Sequence, residues 1–161
     1  MQFELSKEHK MLQKAVREFA DKKIAPYADQ WDAEHYLPVN EAIKPMAELG
    51  FFGTVIPEEY GGEDAGWLAS AIITEEIARA SSSLRVQVNL NGLGCAYPIY
   101  VYGTEAARQK YIQKLCAGDM LGGFAITEPN AGSDVMSIET EAEDKGEHYV
   151  INGSKTWISN A

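Results

Sequence analysis

The chain has 161 residues, 45% of them hydrophobic and 24% charged, so it can bury a core and is too apolar to be disordered along its whole length. Its 14 Lys and Arg side chains stand against 24 Asp and Glu, a formal net charge of −10 that argues against nucleic acid or an anionic membrane as the main partner. Small phosphorylated ligands stay open, because backbone N–H groups can hold phosphates without a lysine cluster.

The first two thirds of the chain has the apolar spacing of an all-helical domain. After Ser6, a good N-cap residue, apolar side chains recur at helical spacing, and Pro26 is expected to end or kink this helix before it resumes over 27–31. Further helices are predicted over 40–50 and 67–80, separated by an irregular segment with Pro and paired Gly.

A long uncharged stretch, residues 86–104, follows these helices. Residues 84–102 are predicted to form one helix that Gly103 stops, and Thr104 is expected to cap a last helix that ends near Gly118. The polar side chains and glycines inside the stretch indicate a buried helix rather than a membrane span. The start of the chain lacks the apolar region of a signal peptide, so a cytoplasmic protein is expected.

Beyond Gly118 the pattern changes to short strands and turns. Strands are predicted over 120–127, 137–144, 148–151 and 155–159, with turns at Lys145-Gly146 and Asn152-Gly153. The expected fold class is α+β, an all-α domain over residues 1–118 followed by the beginning of an antiparallel β domain over residues 119–161. Because four strands with open edges do not complete such a domain, we expect the chain to be the amino-terminal part of a longer protein.

No familiar catalytic or metal-binding constellation is visible in the sequence. The three histidines are scattered, and the two cysteines have neither a metal nor a redox spacing. The acidic pairs Glu58-Glu59 and Glu75-Glu76 are interpreted as solvated faces, since adjacent side chains of a helix point apart. We therefore assign no catalytic residue and no metal ligand to this chain.

Two segments carry signals for ligand binding. Residues 124–134 run from an apolar strand into a turn whose N–H groups could form an anion nest, although Pro, Asn, Gly, Ser and Asp are also ordinary turn formers. In residues 157–159, Trp157 stands beside small and branched neighbours, where its ring could wall a planar cofactor or join a core.

These segments resemble the motifs of the acyl-CoA dehydrogenase family, and the resemblance covers the whole chain. It rests on residues 124–134 followed by 152–160, with similar stretches at 49–53, 57–62, 102–105 and 110–111. Residues 81–87 and 94–103 are most similar to glutaryl-CoA dehydrogenases and to related enzymes that act on cyclic acyl-CoAs. The resemblance implies a helical domain followed by an antiparallel β-barrel domain that is truncated here.

The resemblance implies FAD as the cofactor. Phe124, Ile126 and Thr127 would contact the flavin, Gly132 and Ser133 would hold the pyrophosphate, and Trp157, Ile158 and Ser159 would pack beside the ring. Ser133 would also lie near the pantetheine arm of the thioester. In this family a carboxylate removes the α-proton of the acyl-CoA while the β-hydride passes to the flavin. That carboxylate lies in a C-terminal domain that no residue of this chain matches, so the isolated chain is expected to be inactive.

The resemblance further implies an acyl-CoA substrate, electron-transfer flavoprotein as the acceptor and a homotetramer. Arg85, displaced by one helical turn from the arginine of the glutaryl enzymes, could bind a distal carboxylate of the substrate or could be a surface arginine. Dicarboxylic and cyclic thioesters therefore both stay open. Two other functions remain as alternatives: a non-catalytic fragment that binds FAD or acyl-CoA, and a flavin monooxygenase or oxidase on the same architecture.

Overall fold

The helical periodicity produces seven α-helices in the computed structural model, which describes residues 4–161. They are α1 (Lys7–Lys23), α2 (Ala28–Ala33), α3 (Lys44–Glu48), α4 (Gly66–Ala80), α5 (Ser82–Asn89), α6 (Tyr97–Tyr102) and α7 (Glu105–Cys116). These helices belong to a unit that ends at Gly122, and a second unit comprises Gly123–Ala161. The second unit contains the strands β1 (Glu141–Asp144) and β2 (Tyr149–Asn152), which pair antiparallel. A helical region followed by a small antiparallel sheet confirms the expected fold class.

The predicted helix starts are confirmed at two caps. The Ser6 hydroxyl accepts the N–H of His9 at 3.2 Å at the start of α1. The Thr104 hydroxyl accepts the N–H of Ala107 at 3.3 Å at the start of α7. Each such cap satisfies one amide that has no partner inside its helix and contributes about 1 kcal/mol.

Wide π-helical turns precede both prolines that lie near the start of an α-helix. Val39–Ile43 leads into α3, where Pro45 is the second residue, and Leu90–Ala96 leads into α6, where Pro98 is the second residue. Proline lacks an N–H and its ring clashes with the carbonyl four residues earlier, so a wider turn lets the helical path continue through it. The single helix predicted over 84–102 is therefore α5, a π turn and α6 in succession.

The core of the helical unit forms where α1, α3, α4 and α5 meet. Its fully buried side chains include Val16, Ile24, Ile43, Met46, Phe52 and Ile77. A second cluster packs around α7 and comprises Ile56, Ala96, Ile112, Leu115 and Cys116. Burial raises the pKa of the Cys116 thiol to about 11, so this cysteine is a core side chain and not a reactive thiolate.

Glu76 corrects the expectation that both carboxylates of α4 face solvent. Glu75 is exposed as predicted, but Glu76 is only 1% exposed. Its two oxygens accept hydrogen bonds from Arg17 Nη2 at 2.7 Å and Arg17 Nε at 2.8 Å, and these bonds hold the pKa of Glu76 below its ordinary value. The partner comes from α1, 59 positions away, which is why local spacing did not reveal it.

Asn91, inside the π turn, is fully buried and binds three backbone groups. Its Nδ2 donates to Leu115 O at 3.1 Å and to Met120 O at 3.0 Å, and its Oδ1 accepts the N–H of Gly122 at 2.8 Å. Asn91 therefore joins the π turn to the end of α7 and to the last residues of the helical unit. No helix in the described part of the chain is long and apolar enough to cross a membrane.

The second unit contains less strand than the sequence predicts. The turn at Lys145-Gly146 is confirmed, with Lys145 N–H donating to His148 O at 2.9 Å between β1 and β2. The predictions of strands over 120–127 and 155–159 are wrong, because no ladder of hydrogen bonds forms along either segment. Asn152-Gly153 accordingly ends β2 without making a hairpin turn.

Candidate functional site

The two segments singled out as motifs lie side by side in the second unit. Thr156 N–H donates to Thr127 O at 2.9 Å. A Cβ placed on Gly123 would lie 3.1 Å from Ser159 O and 3.6 Å from Ile158 Cγ2. Residues 123–127 therefore run alongside residues 156–159, and the fold brings together side chains that are about thirty positions apart in sequence.

The two aromatic side chains of these segments face solvent. Phe124 is 54% exposed and Trp157 is 93% exposed, so Trp157 is not the core residue that was one interpretation of the sequence. Ile126, Thr127 and Ile158 are half-buried, and Ser159 is exposed.

Trp157 also has a φ of 58°, in the left-handed region that bulky side chains seldom adopt. Such a conformation costs on the order of 1–3 kcal/mol and concentrates at functional sites. The exposed ring of Trp157 is free to stack on a planar ligand.

Gly132 and Ser133 lie on an exposed turn of the same unit. A Cβ on Gly132 would meet nothing within 4 Å, and its φ lies outside the left-handed region. Nothing in the described chain thus requires glycine at this position, whereas a phosphate that approaches the backbone closely would. Ser133, the next residue along the chain, is exposed as well. These features fit the pyrophosphate of a dinucleotide such as FAD.

Glu128 directly follows residues 123–127, and Lys155 directly precedes residues 156–159. Neither was selected as a site residue from the sequence. Lys155 Nζ lies 2.8 Å from Glu128 Oε1 and donates to Ile126 O at 2.9 Å. The hydrogen bond from Lys155 is the largest of several that lower the pKa of Glu128 to about 2. The Thr-Glu-Pro and Ser-Lys-Thr sequences contain both charges, but only the fold shows that they pair.

Arg85 lies in the first turns of α5, in the helical unit. Its side chain is half-buried, and it forms no hydrogen bond or ion pair with any other residue that the structure describes. Ser81 accepts the N–H of Leu84 at 3.3 Å and so caps the helix that carries this arginine. Contact with a substrate carboxylate, one of the two interpretations of Arg85 from the sequence, stays a prediction.

Models of two known protein domains together match almost the whole chain. Residues 6–119 match the model of the acyl-CoA dehydrogenase N-terminal domain, and residues 123–161 match that of the acyl-CoA dehydrogenase middle domain. The chain belongs to the acyl-CoA dehydrogenase family. Membership confirms the resemblance on which the sequence interpretation rested.

Several relatives within the acyl-CoA dehydrogenase family are similar along almost the whole chain. A glutaryl-CoA dehydrogenase of Desulfococcus multivorans is 66% identical over 100% of this chain and 42% of its own length. A solved glutaryl-CoA dehydrogenase in complex with glutaryl-CoA is 65% identical, with a TM-score of 0.96 over 99% of this chain and 41% of its own. The chain thus spans about two fifths of the length of these relatives.

A third acyl-CoA dehydrogenase bears on the cofactor. The enzyme from Bacillus anthracis, solved in complex with FAD, is 33% identical to this chain, with a TM-score of 0.89 over 98% of it and 27% of its own length.

The described residues of the present chain include no group of three His, Cys, Asp or Glu side chains that could hold a metal ion.

Proposed function

We propose that this chain is the helical and flavin-facing part of an FAD-dependent acyl-CoA dehydrogenase that acts on glutaryl-CoA. The observation that carries the proposal is the juxtaposition of residues 123–127 with residues 156–159, which places Phe124 and Trp157, both exposed, on adjacent segments. An exposed aromatic pair next to backbone and hydroxyl donors suits a ligand with a planar ring and a polar edge.

Each predicted site residue has a defined task in this proposal. Phe124, Ile126, Trp157 and Ile158 supply apolar surface for the ring, Thr127 and Ser159 supply hydroxyls for its polar edge, and Gly132 and Ser133 receive the pyrophosphate. FAD, when bound, supplies the acceptor for the hydride that leaves the β-carbon of the substrate. The chain's own contribution is to orient that ring and to bind the phosphates without a lysine cluster.

Arg85 is the proposed determinant for a dicarboxylic substrate. A guanidinium with no partner among the described residues can form a bidentate pair with a distal carboxylate. The 66% identity to a glutaryl-CoA dehydrogenase supports glutaryl-CoA over a cyclic acyl-CoA, which has no such carboxylate.

The remaining features of the proposal follow from the family resemblance. Residues 1–118 would be the helical domain and residues 119–161 the beginning of the middle domain, close to the boundary at Gly122 between the two units. Electron-transfer flavoprotein as the acceptor, a homotetramer and a cytoplasmic location belong to the same proposal.

The cofactor part is tested by titrating the apoprotein with FAD and following tryptophan fluorescence. Bound flavin should quench Trp157, so a Trp157→Phe variant should lose most of the quenching. Trp67→Phe, which removes an exposed tryptophan of the helical unit, is the matched control and should retain it. Absence of FAD binding by the parent protein would contradict the proposal.

The substrate part is tested with Arg85→Ala in the complete enzyme of which this chain is proposed to be a part, with an artificial electron acceptor. We expect kcat/KM for glutaryl-CoA to fall by about 10- to 100-fold, the value of a charge-assisted hydrogen-bonded pair. The kcat/KM for butyryl-CoA, which lacks the distal carboxylate, should stay unchanged. An equal loss on both substrates would rule out a role in carboxylate recognition.

A further inference from the structure

Four hydrogen bonds converge on the Glu128–Lys155 pair. Besides their mutual contact at 2.8 Å, Lys155 Nζ donates to Ile126 O at 2.9 Å. The Glu128 carboxylate accepts the N–H of Glu139 at 2.7 Å and that of Thr140 at 3.0 Å. The Glu128 side chain is 4% exposed and that of Lys155 is 24% exposed, so water competes weakly for these bonds.

The pair lies between the two segments that form the candidate flavin surface. Ile126 and Glu128, both bound by the Lys155 ammonium, flank Thr127, and Lys155 is two positions before Trp157. Between the same two segments, the Thr156 N–H donates a hydrogen bond to Thr127 O. The lowered pKa keeps the Glu128 carboxylate ionised far into the acidic range, so the hydrogen bonds that it accepts stay charge-assisted there.

We propose that Glu128 and Lys155 are positioning residues that hold residues 124–127 beside residues 156–159 in the one arrangement that fits FAD. The inference rests on the proposed function and extends it to two residues that do not themselves touch the cofactor. A charged pair in which both groups are hydrogen-bonded is directional, whereas apolar packing alone would let two such segments slide past each other.

The variants are chosen to separate positioning from general stability. Lys155→Met removes the ammonium and keeps much of the stem, Glu128→Gln keeps the size of the side chain and removes its charge, and Lys155→Arg keeps a cation. Lys145→Met is the matched control, because Lys145 pairs with Glu143 on the exposed β1–β2 hairpin of the same unit. Lys145 lies outside the two segments and should behave as the parent in every measurement.

The first measurement uses the FAD-free protein and hydrogen exchange. In Lys155→Met and Glu128→Gln, the amides of Thr156, Glu139 and Thr140 should exchange at least about tenfold faster than in the parent, while amides of α1 and α4 keep their protection. Unchanged exchange at these three amides would show that the pair does not hold the segments and would overturn the proposal.

The second measurement uses FAD. The Kd for FAD should rise by about tenfold in Lys155→Met and Glu128→Gln. At saturating FAD, the visible circular dichroism of the bound flavin should differ from that of the parent and return in Lys155→Arg. A parental flavin spectrum in all saturated variants would mean that the pair only stabilises the unit, and would overturn the positioning role.

The two measurements keep this inference apart from the proposed function. If the parent protein binds no FAD, the proposed function fails, and the positioning role toward FAD fails with it, whatever the exchange data show. If the parent binds FAD and both variants bind it equally tightly with an unchanged spectrum, the proposed function stands and only the role of the pair is overturned.

Discussion

At the scale of single residues, two glycines of the second unit have opposite surroundings. A Cβ on Gly153 would lie 2.1 Å from Thr140 Oγ1 and 2.8 Å from Thr140 Cα, so the fold itself requires glycine there. A Cβ on Gly132 would point into open space. Glycine at 153 therefore serves packing, and glycine at 132 serves, in our proposal, the approach of a ligand.

Alanine at these two positions should consequently give opposite results. Gly132→Ala should leave the free energy of unfolding within about 0.5 kcal/mol of the parent. Its affinity for FAD should fall by about tenfold or more, because the methyl group occupies the space that the pyrophosphate needs. Gly153→Ala should destabilise the unit by about 1–3 kcal/mol through overpacking. Urea denaturation and calorimetric FAD titration measure the two effects, and parental FAD affinity in Gly132→Ala would contradict the assignment.

Glu76 supports a prediction about stability and pH. Glu76→Gln should lower the free energy of unfolding by about 2 kcal/mol at neutral pH, because Arg17 loses a charged partner that is buried. The pKa of Glu76 is lowered in the folded state, so its contribution is present above the ordinary Glu pKa of about 4.3 and is lost as pH falls below that value.

The check is a comparison of urea midpoints for the parent and Glu76→Gln across acidic pH. The difference between them should narrow below about pH 4.3. Glu75→Gln, which changes the exposed neighbour on the same helix, is the matched control and should shift stability little at any pH. A difference in urea midpoint between the parent and Glu76→Gln that increases as the pH is lowered would contradict the ion-pair explanation.

At the scale of elements, the π turn Leu90–Ala96 connects two features of the helical unit. It accommodates Pro98 of α6, and it places Asn91 where its side chain reaches the end of α7. A regular helix over 84–102 would rotate every residue after the turn by part of a revolution, because the π turn contains more residues per turn than an α-helix. The irregularity therefore has a structural role.

Replacing Asn91 tests that role. Asn91→Leu is close in size but should cost about 3 kcal/mol, since Met120 O and Gly122 N–H lose the buried partner that Asn91 provides. Asn89→Leu, at the end of α5, removes one half-buried hydrogen bond from Thr74 of α4 and should cost about 1 kcal/mol. Thermal unfolding followed by far-UV circular dichroism measures both. Equal costs for the two variants would argue against a special role of Asn91.

At the scale of the whole molecule, the net charge of −10 is expected to affect the rate at which an anionic cofactor associates. Residues 123–161 carry seven acidic side chains and two lysines, and both lysines are paired, Lys155 with Glu128 and Lys145 with Glu143. We therefore expect the field of this unit to repel FAD at long range, so that in our proposal binding depends on short-range contacts to backbone and hydroxyl groups.

This charge distribution predicts an inverted salt dependence. The association rate constant for FAD should rise as ionic strength increases from about 0.01 to 0.15 M, because the screening length falls from about 30 to 8 Å and weakens the repulsion. Stopped-flow mixing at a series of salt concentrations measures it. A rate that falls steeply with salt would indicate attraction to a basic site and would contradict phosphate binding by backbone and hydroxyls.

Local sequence patterns were sufficient to predict most of the secondary structure of the helical unit. The caps at Ser6 and Thr104 and the helices α1, α4 and α7 depend on interactions within a few residues and were predicted correctly. The π turns inside the predicted helices over 40–50 and 84–102 were not predicted. The wrong strands over 120–127 and 155–159 have a different cause, because a strand exists only when a partner completes its hydrogen-bond ladder. An apolar run in the sequence does not contain that partner.

The amino-acid sequence by itself determined the order of helices and turns, the acidic charge and the family to which the chain belongs. Only the tertiary structure decided which charges are paired: Glu76 with Arg17, and Glu128 with Lys155. It also decided that Trp157 faces solvent while Asn91 is buried. The physical reason is that periodicity and capping act over a few residues, whereas burial and ion pairing depend on groups that folding brings together from distant parts of the chain.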